Sequence, residues 1–257
     1  MRNLVVAITA LITISVIACA QNTITGNKNY TTKKVDVKNE FTAITVNGSP
    51  DVYYTQTSGK PSVEIYGSSN IIPYVEVFVK GETLIVQYKR NTSINNPGKL
   101  EIRVSAPDVS TMTVHGSGDI YIEKGINTNK DLSFNVHGSG DIQGKNLKCN
   151  TLAASVHGSG DINFSGVSCS NIDANVHGSG DIVLNGKARN ASYHVSGSGD
   201  ITANGLQANN VEAYVNGSGD IRCFATDKLS GKVSGSGDVG YKGNPEIDFS
   251  RKGLHKL

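Results

Sequence analysis

One short string dominates the chain. HGSGDI occurs at 115–120, 137–142, 157–162 and 177–182, followed by SGSGDI at 196–201, NGSGDI at 216–221 and SGSGDV at 234–239. Between the first glycines, Gly116, Gly138, Gly158, Gly178, Gly197, Gly217 and Gly235, the spacings are 22, 20, 20, 19, 20 and 18 residues. A near-constant period of this size marks an architecture built by repetition, each unit burying its apolar face against its neighbours.

The residues around each copy alternate with period two. Leu132, Phe134 and Val136 precede one motif, Ile172, Ala174 and Val176 another, and pairs such as Ile120 and Ile122, Ile162 and Phe164, or Ile182 and Leu184 follow. Period two means strands with one buried face. About 20 residues is too short for a propeller blade, and without a helical pattern the leucine-rich, ankyrin and tetratricopeptide repeats fail as templates. The expected fold is all-β: a β-solenoid of about seven coils stacked at about 4.8 Å, a rod segment of roughly 34 Å. Between the inward Val and the inward Ile the chain must turn, and both glycines of the motif are expected to supply φ > 0 there. Eight residues before the variable residue of successive motifs stand Asn129, Cys149, Cys169, Ala188, Ala208 and Thr226, a column of small side chains.

Composition agrees with many short strands joined by tight turns. Among 257 residues there are 29 Gly, 6 Pro and no Trp. The formal charge is +2, from 24 Lys and Arg against 22 Asp and Glu, too little for a field that would hold nucleic acid.

At the start, Arg2 precedes the uncharged run Leu4 to Ile17, which reads as a secretory h-region too short to span a bilayer. Ala18-Cys19-Ala20 fits ordinary signal peptidase, and Val16-Ile17-Ala18-Cys19 resembles a bacterial lipobox. The lipobox is the reading adopted, with Cys19 as the lipidated residue and a signal peptide over 1–20. Several acyl chains at one cysteine give stable anchoring that a single chain does not. On this reading the mature chain is exported, to the periplasm or the cell surface, tethered to the outer membrane, and meets the membrane only through its lipid. Residues 21–34 are expected as a flexible tether, 35–110 as a less regular N-terminal β region or cap, 111–245 as the solenoid and 246–257 as a basic tail. NGSPDV at 47–52 looks like a worn copy of the repeat, so residues 35–110 are either irregular coils or a separate antiparallel domain. Either would shield an open sheet edge, as Pro245 and the lysines near the C-terminus would at the other end.

These features together resemble a bacterial family, the putative auto-transporter adhesin head GIN domain. The resemblance rests on F-x-x-I-x-V at Phe41 to Val46, the strand from Gly81 to Val86, the sequential GSGDI copies, and Y-x-G-x-P at Tyr241 to Pro245. It spans residues 40 to 245 and implies a β-helical solenoid on an exported, often lipid-anchored protein of the Bacteroidetes type. It carries over no catalytic residue. The chain departs from the pattern at Arg251-Lys252-Gly253, where a further GSG copy is expected, and no amphipathic barrel strands follow, so self-translocation is not expected.

Stacking creates columns. Asp119, Asp141, Asp161, Asp181, Asp200, Asp220 and Asp238 form a carboxylate ladder whose neighbours, about 5 Å apart, repel by roughly 0.8 kcal/mol in water and about 3 kcal/mol at an effective dielectric near 20. Each carboxylate is expected to cap its own turn and stay solvated. A calcium ladder is the alternative, disfavoured because each coil supplies only one Asp. No cofactor is therefore expected. His115, His137, His157 and His177 form an imidazole column continued by Ser196, Asn216 and Ser234; it reads as a solvent-facing polar ladder, with zinc binding or charging below about pH 6.5 as the sharper alternatives. His194 lies outside that column. Cys149 and Cys169, one coil apart, fall within disulfide reach, although buried thiols are the commoner outcome and Cys223 stays unpaired.

Function follows from repetition. Identical groups on every coil suit multivalent contact, so a non-catalytic adhesin-like or structural role toward a glycan or protein surface is expected. The alternatives are a polysaccharide-acting β-helix enzyme and a self-assembling scaffold. The enzyme needs a constellation that breaks the repeat, and Arg222 and Glu212, which do interrupt their coils, read equally well as solvated face residues.

Overall fold

The computed structural model describes residues 23–257 other than Lys38 and Arg251. It is an all-β solenoid in which each coil contributes one strand before the glycine corner and one after it. Before the corner, Ala43–Gly48, Thr111–Gly116, Leu132–Gly138, Thr151–Gly158 and Asn171–Gly178 pair in parallel, residue for residue, so that His115 lies beside His137 and Val114 beside Val136. After it, Asp51–Gln56, Ile120–Ile122, Ile142–Lys145 and Ile162–Ser168 form the second parallel stack. Three later strands, Ile182–Gly197, Ile201–Gly217 and Ile221–Gly235, run continuously from one stack into the other.

Inward alternation builds the core. The Val before each corner, from Val114 to Val233, and the Ile or Val after it, from Ile120 to Val239, are buried throughout. In four successive coils the next inward pair joins a larger side chain to a smaller one: Phe134 with Gly144, Ala154 with Phe164, Ala174 with Leu184, and Tyr193 with Ala203. Phe134 and Phe164, from successive coils and opposite sheets, meet at 4.6 Å between ring centroids. At these levels one larger and one smaller side chain share the space between the sheets, as close packing requires.

The two motif glycines have different tasks. Only the first lies at positive φ, from +132° at Gly116 to +153° at Gly217. A Cβ on the second would overlap the carbonyl oxygen of its counterpart one coil back, as Gly160 does with Gly140. The expectation of φ > 0 at both is thus corrected: the second glycine is needed for close approach. From Gly48 to Gly217, each first-glycine carbonyl accepts two N–H groups from the following coil, Gly138 taking Ser159 at 2.8 Å and Gly160 at 3.0 Å.

The worn copy at 47–52 is a true corner, with Gly48 paired to Gly116 and Val52 to Ile120. Residues 35–110 therefore begin the solenoid, and antiparallel strands then cover its end: Val75–Lys80 on Thr83–Tyr88, and Ser62–Ser68 on Leu100–Ala106. The expected tether at 21–34 is corrected over its described part. Thr23–Thr25 pairs with Ser93–Asn95, and Tyr30–Val35 lies antiparallel on Ser62–Ser68, because the otherwise open sheet edge offers unpaired backbone groups. The basic tail also joins the stack: Glu246–Phe249 pairs with Lys228–Gly231, and Leu254–Lys256 with Val239–Tyr241. In the small-residue column Ala208 meets Ala225, one residue short of Thr226, because the register shifts within that coil.

Candidate functional site

The corner builds the aspartate ladder. Each carboxylate reaches across to the next coil: Asp119 Oδ1 accepts the Asp141 N–H at 2.8 Å, Asp141 accepts Asp161, and Asp161 accepts Asp181, each at 2.8 Å. The pattern continues through Asp200 and Asp220 to Asp238, and begins at Asp51, which accepts the Asp119 N–H at 3.0 Å. The expected cap on each Asp's own turn is thereby corrected; the charge is spent between coils, where N–H donors offset the carboxylate repulsion. Desolvation nonetheless raises Asp51 and Asp141 above the usual carboxylate range, opposed by the N–H each accepts and reinforced by the neighbouring aspartate.

Two side chains attend the ladder. Tyr121 donates its hydroxyl to Asp119 Oδ2 at 2.9 Å and stacks on Tyr53 at 4.9 Å. Arg222 bridges Asp200 at 3.9 Å and Asp220 at 3.5 Å. Glu212 stands on the outer face opposite Ser192 and Ser230, with no carboxylate as its immediate strand partner. Among the described residues, no group of three or more His, Cys, Asp and Glu is placed to hold a metal ion.

The imidazole column is formed as expected. His115, His137, His157 and His177 are exposed and stack at 4.8, 5.0 and 4.7 Å between ring centroids. Desolvation and the two flanking histidines lower the pKa of His157. A second column on the same outer face went unread in the sequence: His194 stacks on Tyr214 at 5.0 Å, with Asn175 before them and Lys232 after. Their places two residues before Ser196 and Asn216 were the available signal. Likewise, Asp51 in the worn copy signalled the first rung of the ladder.

Cys149 and Cys169 are neighbouring thiols at the edge of the core, and Cys223 is wholly buried. Cys19 and the signal peptide lie outside the described residues. Among the described residues no helix is long and apolar enough to cross a membrane.

The fold recurs in solved structures. A putative lipid binding protein from Parabacteroides distasonis is 29% identical, with a TM-score of 0.85 over 91% of this chain and 99% of its own. A putative adhesin from Bacteroides fragilis is 30% identical, with a TM-score of 0.68 over 91% of this chain and 100% of its own. A putative adhesin from Parabacteroides merdae, 24% identical, shares the fold at a TM-score of 0.82 over 91% of this chain and 96% of its own. No curated protein matches the sequence. The family model described as putative auto-transporter adhesin, head GIN domain, matches residues 40–245, and with the corners, ladders and coil register in place the chain belongs to that family.

Proposed function

We propose that this chain is an exported, non-catalytic envelope protein, acylated at Cys19 and held at the outer membrane, whose solenoid makes adhesin-like contact with a glycan or protein surface. The supporting observation is the outer face before the corner. There His115, His137, His157, His177, Ser196, Asn216 and Ser234 present exposed polar groups in strict register, one per coil. Such a face offers many weak contacts at a fixed repeat, which add through effective concentration. It offers no isolated acid–base pair of the kind glycoside cleavage uses. The adhesin names of the relatives agree with this reading, and the name of the Parabacteroides distasonis protein adds lipid as a ligand class to test.

The scaffold alternative predicts end-to-end association of the rods, which light scattering of the purified chain reads as a mass above that of one chain. The test is binding of the purified chain to immobilised glycans, matrix proteins and lipid vesicles. Saturable binding that weakens stepwise as His137, His157 and His177 are replaced by Ser supports the reading. Polysaccharide cleavage by the same preparation would replace it with the enzyme. For the anchor, Cys19→Ser is expected to move the chain from the membrane fraction to the soluble one.

A further inference from the structure

Successive coils bring Cys149 and Cys169 side by side halfway along the rod. Lys148 and Ser168 are parallel strand partners, and the next residue of each coil is the cysteine. The Cys149 N–H donates to the Ser168 carbonyl at 3.3 Å, and the Cys169 N–H to the Lys187 carbonyl at 3.3 Å, so both coils hold the same path. In-register parallel neighbours stand about 4.8 Å apart, inside the roughly 4.4–6.8 Å between Cα atoms that a disulfide spans. Each cysteine sits where its strand gives way to a bend, at Asn150 and Ser170, so the pleat does not fix the two Cβ directions as it would in mid-strand.

The surroundings distinguish this pair from Cys223. Both cysteines line an open surface depression of about 400 Å³ together with Thr128, Lys148, Asn150 and Ser168. Cys149 is 7% exposed and Cys169 more so. The thiols also sense each other: each shifts the other's pKa, downward at Cys149 and upward at Cys169. Cys223 is different in each respect, being 0% exposed and paired with Tyr241.

We propose that Cys149 and Cys169 close an inter-coil disulfide in the exported protein. The oxidant is a disulfide of the thiol-oxidoreductase class. One cysteine thiolate attacks it to give a mixed disulfide and release one oxidant thiol. The neighbouring cysteine then loses its proton, attacks the mixed disulfide at its own partner's sulfur and releases the second oxidant thiol. Two cysteine thiols and one oxidant disulfide become one cysteine disulfide and two oxidant thiols. The bond staples two coils at the middle of a structure whose coils otherwise separate one at a time, so unravelling from either end stops there. The inference rests on the exported location for its oxidant alone.

The experiment uses the full chain isolated from the cells that make it, alkylated without reduction and mapped by peptide mass. Expected is a Cys149–Cys169 peptide pair about 2 Da lighter than its two free peptides, with Cys223 alkylated. A melt of the same material should fall by roughly 5–10 °C on reduction, and a Cys149→Ser, Cys169→Ser double variant should ignore the reductant. Alkylation of both cysteines in the isolated protein overturns the proposal. Treating an unalkylated portion of the same preparation with oxidised glutathione before alkylation then shows where it failed: closure places the fault in the location, and continued alkylation places it in the geometry. A melt indifferent to reductant despite the cross-link overturns the staple.

Discussion

Asp141 Oδ1 accepts the backbone N–H of Asp161 at 2.8 Å, so a carboxylate of one coil fixes the main chain of the next. Repeated from Asp51 to Asp238, this bond turns a row of like charges into a row of inter-coil ties. Asp161→Ala leaves the Asp181 N–H without its acceptor and should destabilise the fold by about 1–2 kcal/mol in urea titration. Asp161→Asn keeps a carbonyl acceptor and relieves repulsion from Asp141 and Asp181, so its loss should be the smaller of the two.

Gly160→Ala should be far more damaging than its size suggests. The added methyl meets the Gly140 carbonyl oxygen, which is backbone and cannot swing aside. A loss of more than about 3 kcal/mol, or failure to fold, is expected. Gly59→Ala is the control, since nothing lies within 4 Å of the added carbon, and its melt should match the parent.

The complementary core pairs can be exchanged. Ala154→Leu overpacks the level already filled by Phe164 and should cost about 1–3 kcal/mol. Phe164→Ala leaves a cavity and should cost about 3–5 kcal/mol. Combined, the two changes should cost less than the sum of the single ones, and a double-mutant cycle by denaturation reads that coupling directly.

Lower pH should weaken the imidazole column. Because burial and the flanking His137 and His177 lower the pKa of His157, the unfolded chain binds the proton first. Stability is then complete above about pH 6.5 and falls as the pH drops from there through the folded-state pKa. His157→Asn, the residue found at Asn216 of the same column, should flatten that slope. Asp51 and Asp141 act in the opposite sense, since their raised pKa makes the folded state bind protons first and adds stability as the pH approaches the ordinary carboxylate value.

Calcium should leave the melting temperature unchanged after removal of bound metal with EDTA. The ladder aspartates from Asp51 to Asp220 already use Oδ1 on a backbone N–H, and each coil contributes one carboxylate, short of the six to eight oxygens calcium takes. A clear rise at millimolar calcium would instead make the ladder a metal site, because a ligand of the native state stabilises by mass action.

By itself the sequence determined the repeat, and the repeat determined most of the architecture. Alternation around each GSGDI dictates strands, the constant period dictates stacking, and stacking in register dictates that His157 lies beside His137 and His177. These follow because side-chain direction in a strand has period two and a one-residue slip would bury the wrong face. The tertiary structure decided what depends on neighbours distant in sequence. Only the stacked coils show that Gly160 is needed for its closeness to Gly140, that Asp141 serves the coil after its own, and that Phe164 fills the space left by Ala154. Thr23–Thr25 and Tyr30–Val35 lack the motif altogether, so nothing local marked them as strands; their order comes from the sheet edge they complete. Contacts between coils are fixed by register and volume across the stack, and no window of one coil's sequence contains them.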